Sequence, residues 1–247
     1  MKRSLAGLPV QPANCARLPP NRPKPRLKKT VVLRGKRPTV PVQAPEYRDK
    51  SVFLNIPYDD RFRRLYLAYI AGLVHLDLKP RATIEIPGGQ NRLDKILDLI
   101  RSCRYSIHDL SRVQLDRIPP ATPRFNMPFE LGLAVASAKL DSVPHDWFVF
   151  ETVHHRASKS LSDLSGTDPN IHHGTIAGVM RELCNAFVRH SQQERYSVSG
   201  MMKTYRAVSR LVEDIERKTR ARSVFEARVF YLLCSAAGRA ASIPETR

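Results

Sequence analysis

The chain has 247 residues, 42% apolar and 26% charged, with a formal net charge of +18. That length suits one sizeable globular domain with an extension, and no apolar run reaches the ~18 residues needed to cross a bilayer. The four cysteines, Cys15, Cys103, Cys184 and Cys234, are far apart and form no CxxC pair. This argues against a disulfide framework or structural zinc and for reduced thiols in a cytoplasmic protein.

Residues 1–50 hold thirteen Lys/Arg against two acids, and nine of the nineteen prolines. Stretches such as PPNRPKPRLKK bury little apolar surface, so a disordered basic arm is expected. It lacks the apolar core of a secretory signal. Its charge suits weak contact with polyanions and equally a solvated tail. No aromatic residue precedes Tyr47 to stack on bases.

The pattern changes at Ser51, where SVFLNI reads as a strand. Phe62, Leu65, Tyr66, Tyr69, Ile70 and Leu73 then recur at helical spacing. ATIEI, from Ala82, reads as a second strand ended by Pro87-Gly88-Gly89, and Leu93, Ile96, Leu97 and Ile100 mark a second helix. YSIHDLS from Tyr105, MPFELGLAVASAKL and DWFVFET from Asp146 continue the alternation. Strand–helix repetition of this kind predicts an α/β fold with a doubly wound parallel sheet of four to five strands, over residues 51–190. SKSLSDLSGTDPNIHHG reads as polar turns and TIAGVMRELCNAFVRH as a helix. Two more helices, 198–219 and 222–240, make a C-terminal extension over 191–247.

In an open parallel sheet, ligands bind in the crevice at the C-terminal strand ends. The loops there offer Asn55, Tyr58 and Asp59 after the first strand, and Glu85, Gly88-Gly89 and Arg92 after the second. Asp109, Ser111, Arg124, Asn126 and Glu130 follow the third. This mixture suits a ligand with hydroxyls and phosphates, and it predicts that Asp109 and Glu130 face one crevice. Asn126 is expected to cap the helix, which places Glu130 in its first turn, where the dipole favours the ionised form. A carboxylate there can stabilise or attack an oxocarbenium-like centre as an N-glycosidic bond breaks; it equally fits an acid that only complements the dipole. Asp109 reads either as an acceptor for ribose hydroxyls or as a cap on its own turn. Arg92 and Arg124 have forked donors for phosphate, or they form surface ion pairs. GGQNR is neither a Walker loop nor GxGxxG. His154-His155 and His172-His173 each supply at most one ligand to a site, and no zinc-like spacing accompanies them. No metal or other cofactor is expected.

SVFLNIPYD, RLDKILDLIRSCRYSIHDLSR, PRFNMPFELGLA and SDLSGTDPNIHHG resemble bacterial proteins of the nucleoside 2-deoxyribosyltransferase-like and TIR-like class, over about residues 51–175. The resemblance implies a flavodoxin-like sheet. Characterised members cleave N-glycosidic bonds of nucleosides or of NAD with a glutamate on a helix. Others only bind nucleotides or self-associate, and several TIR-type members serve in anti-phage defence. By resemblance the catalytic glutamate falls on Glu130 and the strand-end acid on Asp109. The small residues that precede the glutamate in TIR domains are replaced by Asn126-Met127-Pro128.

The expected function is therefore cleavage of an N-glycosidic bond in a nucleotide or nucleoside such as NAD. Glu130 would be nucleophile or cation stabiliser, Asp109 and Asn55 would orient the ribose, and Arg92 or Arg124 the phosphate. Tyr58, Ser111 and Asn126 would line the pocket. The alternatives are a non-catalytic nucleotide sensor that self-associates through its C-terminal helices, and a nucleic-acid-binding protein working through the arm.

Overall fold

The computed structural model describes residues 48–89, 91–113, 115–116, 122–164, 166–187 and 197–242. The arm expected over residues 1–50 lies outside them except for its last three residues. The sheet strands are β1 (Ser51–Asn55), β2 (Lys79–Ala82), β3 (Tyr105–Asp109), β6 (Asp146–Glu151) and β7 (Asn170–Ile171). A short antiparallel pair, β4 (Leu115–Asp116) and β5 (Thr122–Pro123), sits in the loop after β3. The helices are α1 (Arg63–His75), α2 (Arg92–Arg101), α3 (Asn126–Leu140), α4 (Arg156–Ser160), α5 (Ile176–Phe187), α6 (Val198–Thr219) and α7 (Ala227–Ala241).

The five strands lie in the order β2-β1-β3-β6-β7 and every pair is parallel. The fold is thus a doubly wound, flavodoxin-like α/β sheet. Its strand order reverses between β1 and β3, the point where such folds place their crevice. Strand alternation assigns the two faces. Val52 and Leu54 of β1, Tyr105 and Ile107 of β3, and Phe150 of β6 share a core with α1 and α5. Phe53 points the other way, onto Ile96, Leu99 and Ile100 of α2 and Ala134 of α3.

Helix α1 is apolar on every side, and all its residues from Leu65 to Leu73 are buried. A helix of that kind needs cover all round. The sheet covers one side, and α5, α6 and α7 cover the rest through Met180, Leu183, Met201, Val208, Val212, Val229, Phe230 and Leu233. The C-terminal helices therefore belong to the same core as the sheet. No helix among the described residues is long and apolar enough to cross a membrane.

Two elements differ from expectation. β2 ends at Ala82, and Thr83–Glu85 form a 3-10 turn instead of continuing the strand. The Glu85 carboxylate accepts the Ala82 N–H at 2.6 Å. This local side-chain bond competes with the sheet ladder and outweighs the strand propensity of ATIEI. The fifth strand, Asn170–Ile171, lies in the segment read as polar turns. Two residues are too few to show alternation.

Gly178 lets α5 pass close under the end of β7. A Cβ there would stand 2.0 Å from the His172 carbonyl oxygen and 2.7 Å from Thr175 Oγ1. Backbone must move to admit a methyl group. Gly178→Ala is expected to cost about 2–3 kcal/mol, a fall in Tm of roughly 4–12 °C for a domain of this size. An unchanged Tm would show that the His172 turn is free to give way.

Candidate functional site

Three polar clusters reach the C-terminal strand ends. The first is on the α1 side. Asp109 is fully buried. Its Oδ2 accepts from the Tyr69 hydroxyl at 2.7 Å and lies 3.1 Å from His172 Nε2. Its Oδ1 accepts the Ser111 N–H at 2.9 Å. His172 Nδ1 accepts the Gly174 N–H at 3.1 Å, so the ring proton sits on Nε2, facing Asp109. Nε2 also lies 3.0 Å from Ser111 Oγ. Ser, His and Asp are the residue types of a catalytic triad, but a triad uses both ring nitrogens in series. Here Asp109 and Ser111 share one nitrogen and a backbone amide occupies the other, so His172 cannot pass a proton between them. Burial, and next the Asp109 charge, push the Tyr69 hydroxyl well up, which keeps it a donor. The Ser111 contact is the turn cap that was one of the two readings of Asp109. Arg156 joins the loop after β3 to the end of β6, donating to buried Glu151 through Nε at 2.9 Å and to the Ser111 carbonyl at 2.9 Å.

The second cluster is on the α3 side. Asn55 Nδ2 donates to the Met127 carbonyl at 2.8 Å and to His108 Nδ1 at 2.9 Å. The carbonyl can only accept, so the amide orientation is fixed. His108 Nδ1 is then the acceptor and its Nε2–H points at Ser106 Oγ, 2.9 Å away. Ser106 Oγ also lies 2.9 Å from His145 Nε2, whose Nδ1 faces the Cys103 carbonyl at 3.0 Å. Carbonyls at both ends thus set one donor direction along the whole chain, with both imidazoles neutral. Burial, with a smaller effect from His145, pushes His108 down to about 3. His145 is also lowered, chiefly by burial. This relay ties β1 and β3 to the start of α3 and fixes the height at which that helix begins.

Glu130 rides on α3 and is half-buried. Burial pushes its carboxyl up to about 7, with Arg92 opposing. Two details differ from expectation. Phe125, not Asn126, is the N-cap residue, and no side chain caps the helix; Asn126 is the exposed first residue. Glu130 is consequently the fifth helical residue, and the first turn holds no acid. The dipole effect fades within one turn, so desolvation dominates and the proton is held more tightly, not less. Glu130 and Asp109 also lie on opposite sides of the sheet, because Asp109 has the parity of Tyr105 and Ile107 while α3 packs on the side of Phe53. Asn55 is the strand-end residue on the Glu130 side.

The third cluster links the loops after β1 and β3. Asp59 Oδ2 accepts from Arg112 Nε at 2.9 Å and from Arg124 Nη1 at 2.7 Å. Asp59 Oδ1 accepts the Phe62 N–H at 3.1 Å, at the start of α1.

The residues expected at the site therefore separate. Tyr58 and Arg92 both lie within the electrostatic reach of Glu130. Tyr58 packs edge-on against Tyr66 and Phe225, and burial raises its pKa. Arg92 opens α2, is exposed, and reaches the Ile86 carbonyl at 3.5 Å. Asn55 meets α3. Ser111 stays with Asp109, and Arg124 with Asp59. An apolar depression lined by Leu110, Val149, Ala157, Leu161, Leu164 and Pro169 holds none of these residues. Sequence pattern alone does not mark Tyr69, His172 or Arg112 as site residues. Tyr69 reads as one more apolar position of α1, and His172 sits in a segment whose strand is not visible.

No family model matches the chain, and neither the curated proteins nor the solved structures compared with it gave a significant similarity.

Proposed function

We propose that the protein cleaves the N-glycosidic bond of a nucleotide or nucleoside such as NAD, at the crevice between β1 and β3, with Glu130 as the reacting carboxyl. The observation that carries this reading is the setting of Glu130: a half-buried carboxyl on α3, the helix that Asn55 at the end of β1 holds through the Met127 carbonyl, pushed up to about 7 by burial and within electrostatic reach of the Arg92 guanidinium. A pKa near the working pH lets one group be ionised for the attack and return readily to neutrality. Developing oxocarbenium charge needs the ionised form, which Arg92 favours and burial resists. Asn55, fixed by Met127 and His108, orients the ribose. Asp109 acts at one remove, holding Ser111 and the loop after β3. Base release from NAD is expected to rise with pH through about 7 and level off above it. A rate that falls through that range would assign Glu130 the opposite protonation state and overturn its role as nucleophile or cation stabiliser.

The second reading is a non-catalytic nucleotide sensor that self-associates through α6 and α7. It draws on Leu211, Tyr231 and Leu232, which are exposed at 41%, 55% and 39% on those helices.

A further inference from the structure

Among the described residues, three of the four most exposed large apolar side chains lie on α3 or at its cap: Leu140 at 83%, Phe125 at 69% and Phe129 at 54%. Scattered exposed apolar residues are ordinary, but a gathered set marks an interaction surface. With Gly132 and Ala136, both exposed, the three recur at i, i+4, i+7, i+11 and i+15, one stripe along the helix. The opposite side holds Met127, Leu131 and Ala134, buried against the sheet. Glu130 and Lys139 are the only charged residues of α3, and neither falls in the stripe. Gly132 has no use inside the chain. A glycine weakens a helix interior, and a Cβ here would meet nothing within 4 Å among the described residues.

We propose that the outer stripe of α3 pairs with the same stripe of a second copy, antiparallel, about a two-fold axis beside Gly132. A two-fold interface must be self-complementary, and the spacing meets that condition. The axis sets Phe125 against the partner's Leu140, and the Phe129 ring against the partner's Ala136, a large side chain over a small one. Gly132 falls at the crossing, where the separation of two helices depends on the side chains between them. Phe125, Phe129 and Leu140 put on the order of 400 Å² of apolar surface on the stripe. A standard interface buries about 800 Å² a side, of which about 56–65% is apolar, so the stripe supplies most of the apolar core that such an interface needs. A polyanion or a charged peptide would find no counter-charge in it. The inference is independent of the glycosidic reading, and the surface differs from the one on α6 and α7.

The test is sedimentation velocity of the purified full chain at increasing concentration. Wild type is expected to shift from monomer to dimer. Gly132→Gln obstructs the crossing and Leu140→Glu places a charge in an apolar contact, so each should weaken the dimer at least ~10-fold. Their far-UV circular dichroism should match wild type, because both positions are exposed and glutamine is a better helix former than glycine. Leu211→Glu, on α6, should leave the dimer unchanged. A chain that stays monomeric throughout, or a dimer indifferent to both α3 substitutions, would overturn the assignment. A dimer that only Leu211→Glu dissociates would overturn it too, and would place the contact on α6.

Discussion

Glu130→Gln is expected to lower the turnover of base release by on the order of 10²–10³-fold while leaving Tm close to that of wild type. The amide keeps the shape of the carboxyl but cannot carry the charge that an oxocarbenium-like centre requires. One preorganised electrostatic contact of this type contributes about 3–4 kcal/mol to the transition state. The loss should appear in kcat more than in KM, because the charge is matched to the transition state and not to the ground state. Stability should change little, since burial already holds the carboxyl at about 7 and a neutral amide suits the same surroundings. Wild-type turnover in the Glu130→Gln variant would remove Glu130 from the chemistry, and a change confined to ligand affinity would favour the sensor.

Asp109→Asn is expected to act mainly on stability, costing about 2–4 kcal/mol, or roughly 4–16 °C in Tm. The fully buried carboxylate accepts from three donors: the Tyr69 hydroxyl, the Ser111 amide and the His172 ring. An asparagine can serve the Ser111 amide with its oxygen, and the Tyr69 hydroxyl can turn to accept. Its NH₂ then confronts the His172 Nε2–H. His172 cannot escape by changing tautomer, because the Gly174 N–H points at Nδ1. Scanning calorimetry decides the matter. A variant with unchanged Tm but a raised KM would return Asp109 to the ribose-contacting role that its strand-end position suggests.

The contrast between these two acids marks what could be read from the residues alone. The parallel α/β sheet was legible because SVFLN, YSIHD and DWFVFE are long enough to register as strands and are separated by segments of helical spacing. Which side of the sheet each acid would take was legible in principle from strand parity: Asp109 shares the parity of Tyr105 and Ile107, whose partners are on α1. What hid it was the expectation that a strand-end acid and the next helix share a crevice regardless of face. The burial of Glu130 was not legible, since it depends on how deeply α3 is drawn in by the Asn55–His108 relay, and those two residues lie far apart in sequence. The Asp109–His172 contact spans a similar gap and ends just past a two-residue strand that no pattern reveals. The need for α6 and α7 was present in the all-round apolar character of LYLAYIAGL, which one sheet face cannot bury.

The measurement that tests the central claim most directly is incubation of the purified full chain with NAD, AMP and a panel of nucleosides, followed by chromatographic detection of free base. The account predicts that wild type releases free base from at least one member of the panel and that Glu130→Gln releases it far more slowly. Tight binding of a nucleotide with no free base from any member, and no difference between the two proteins, would contradict it.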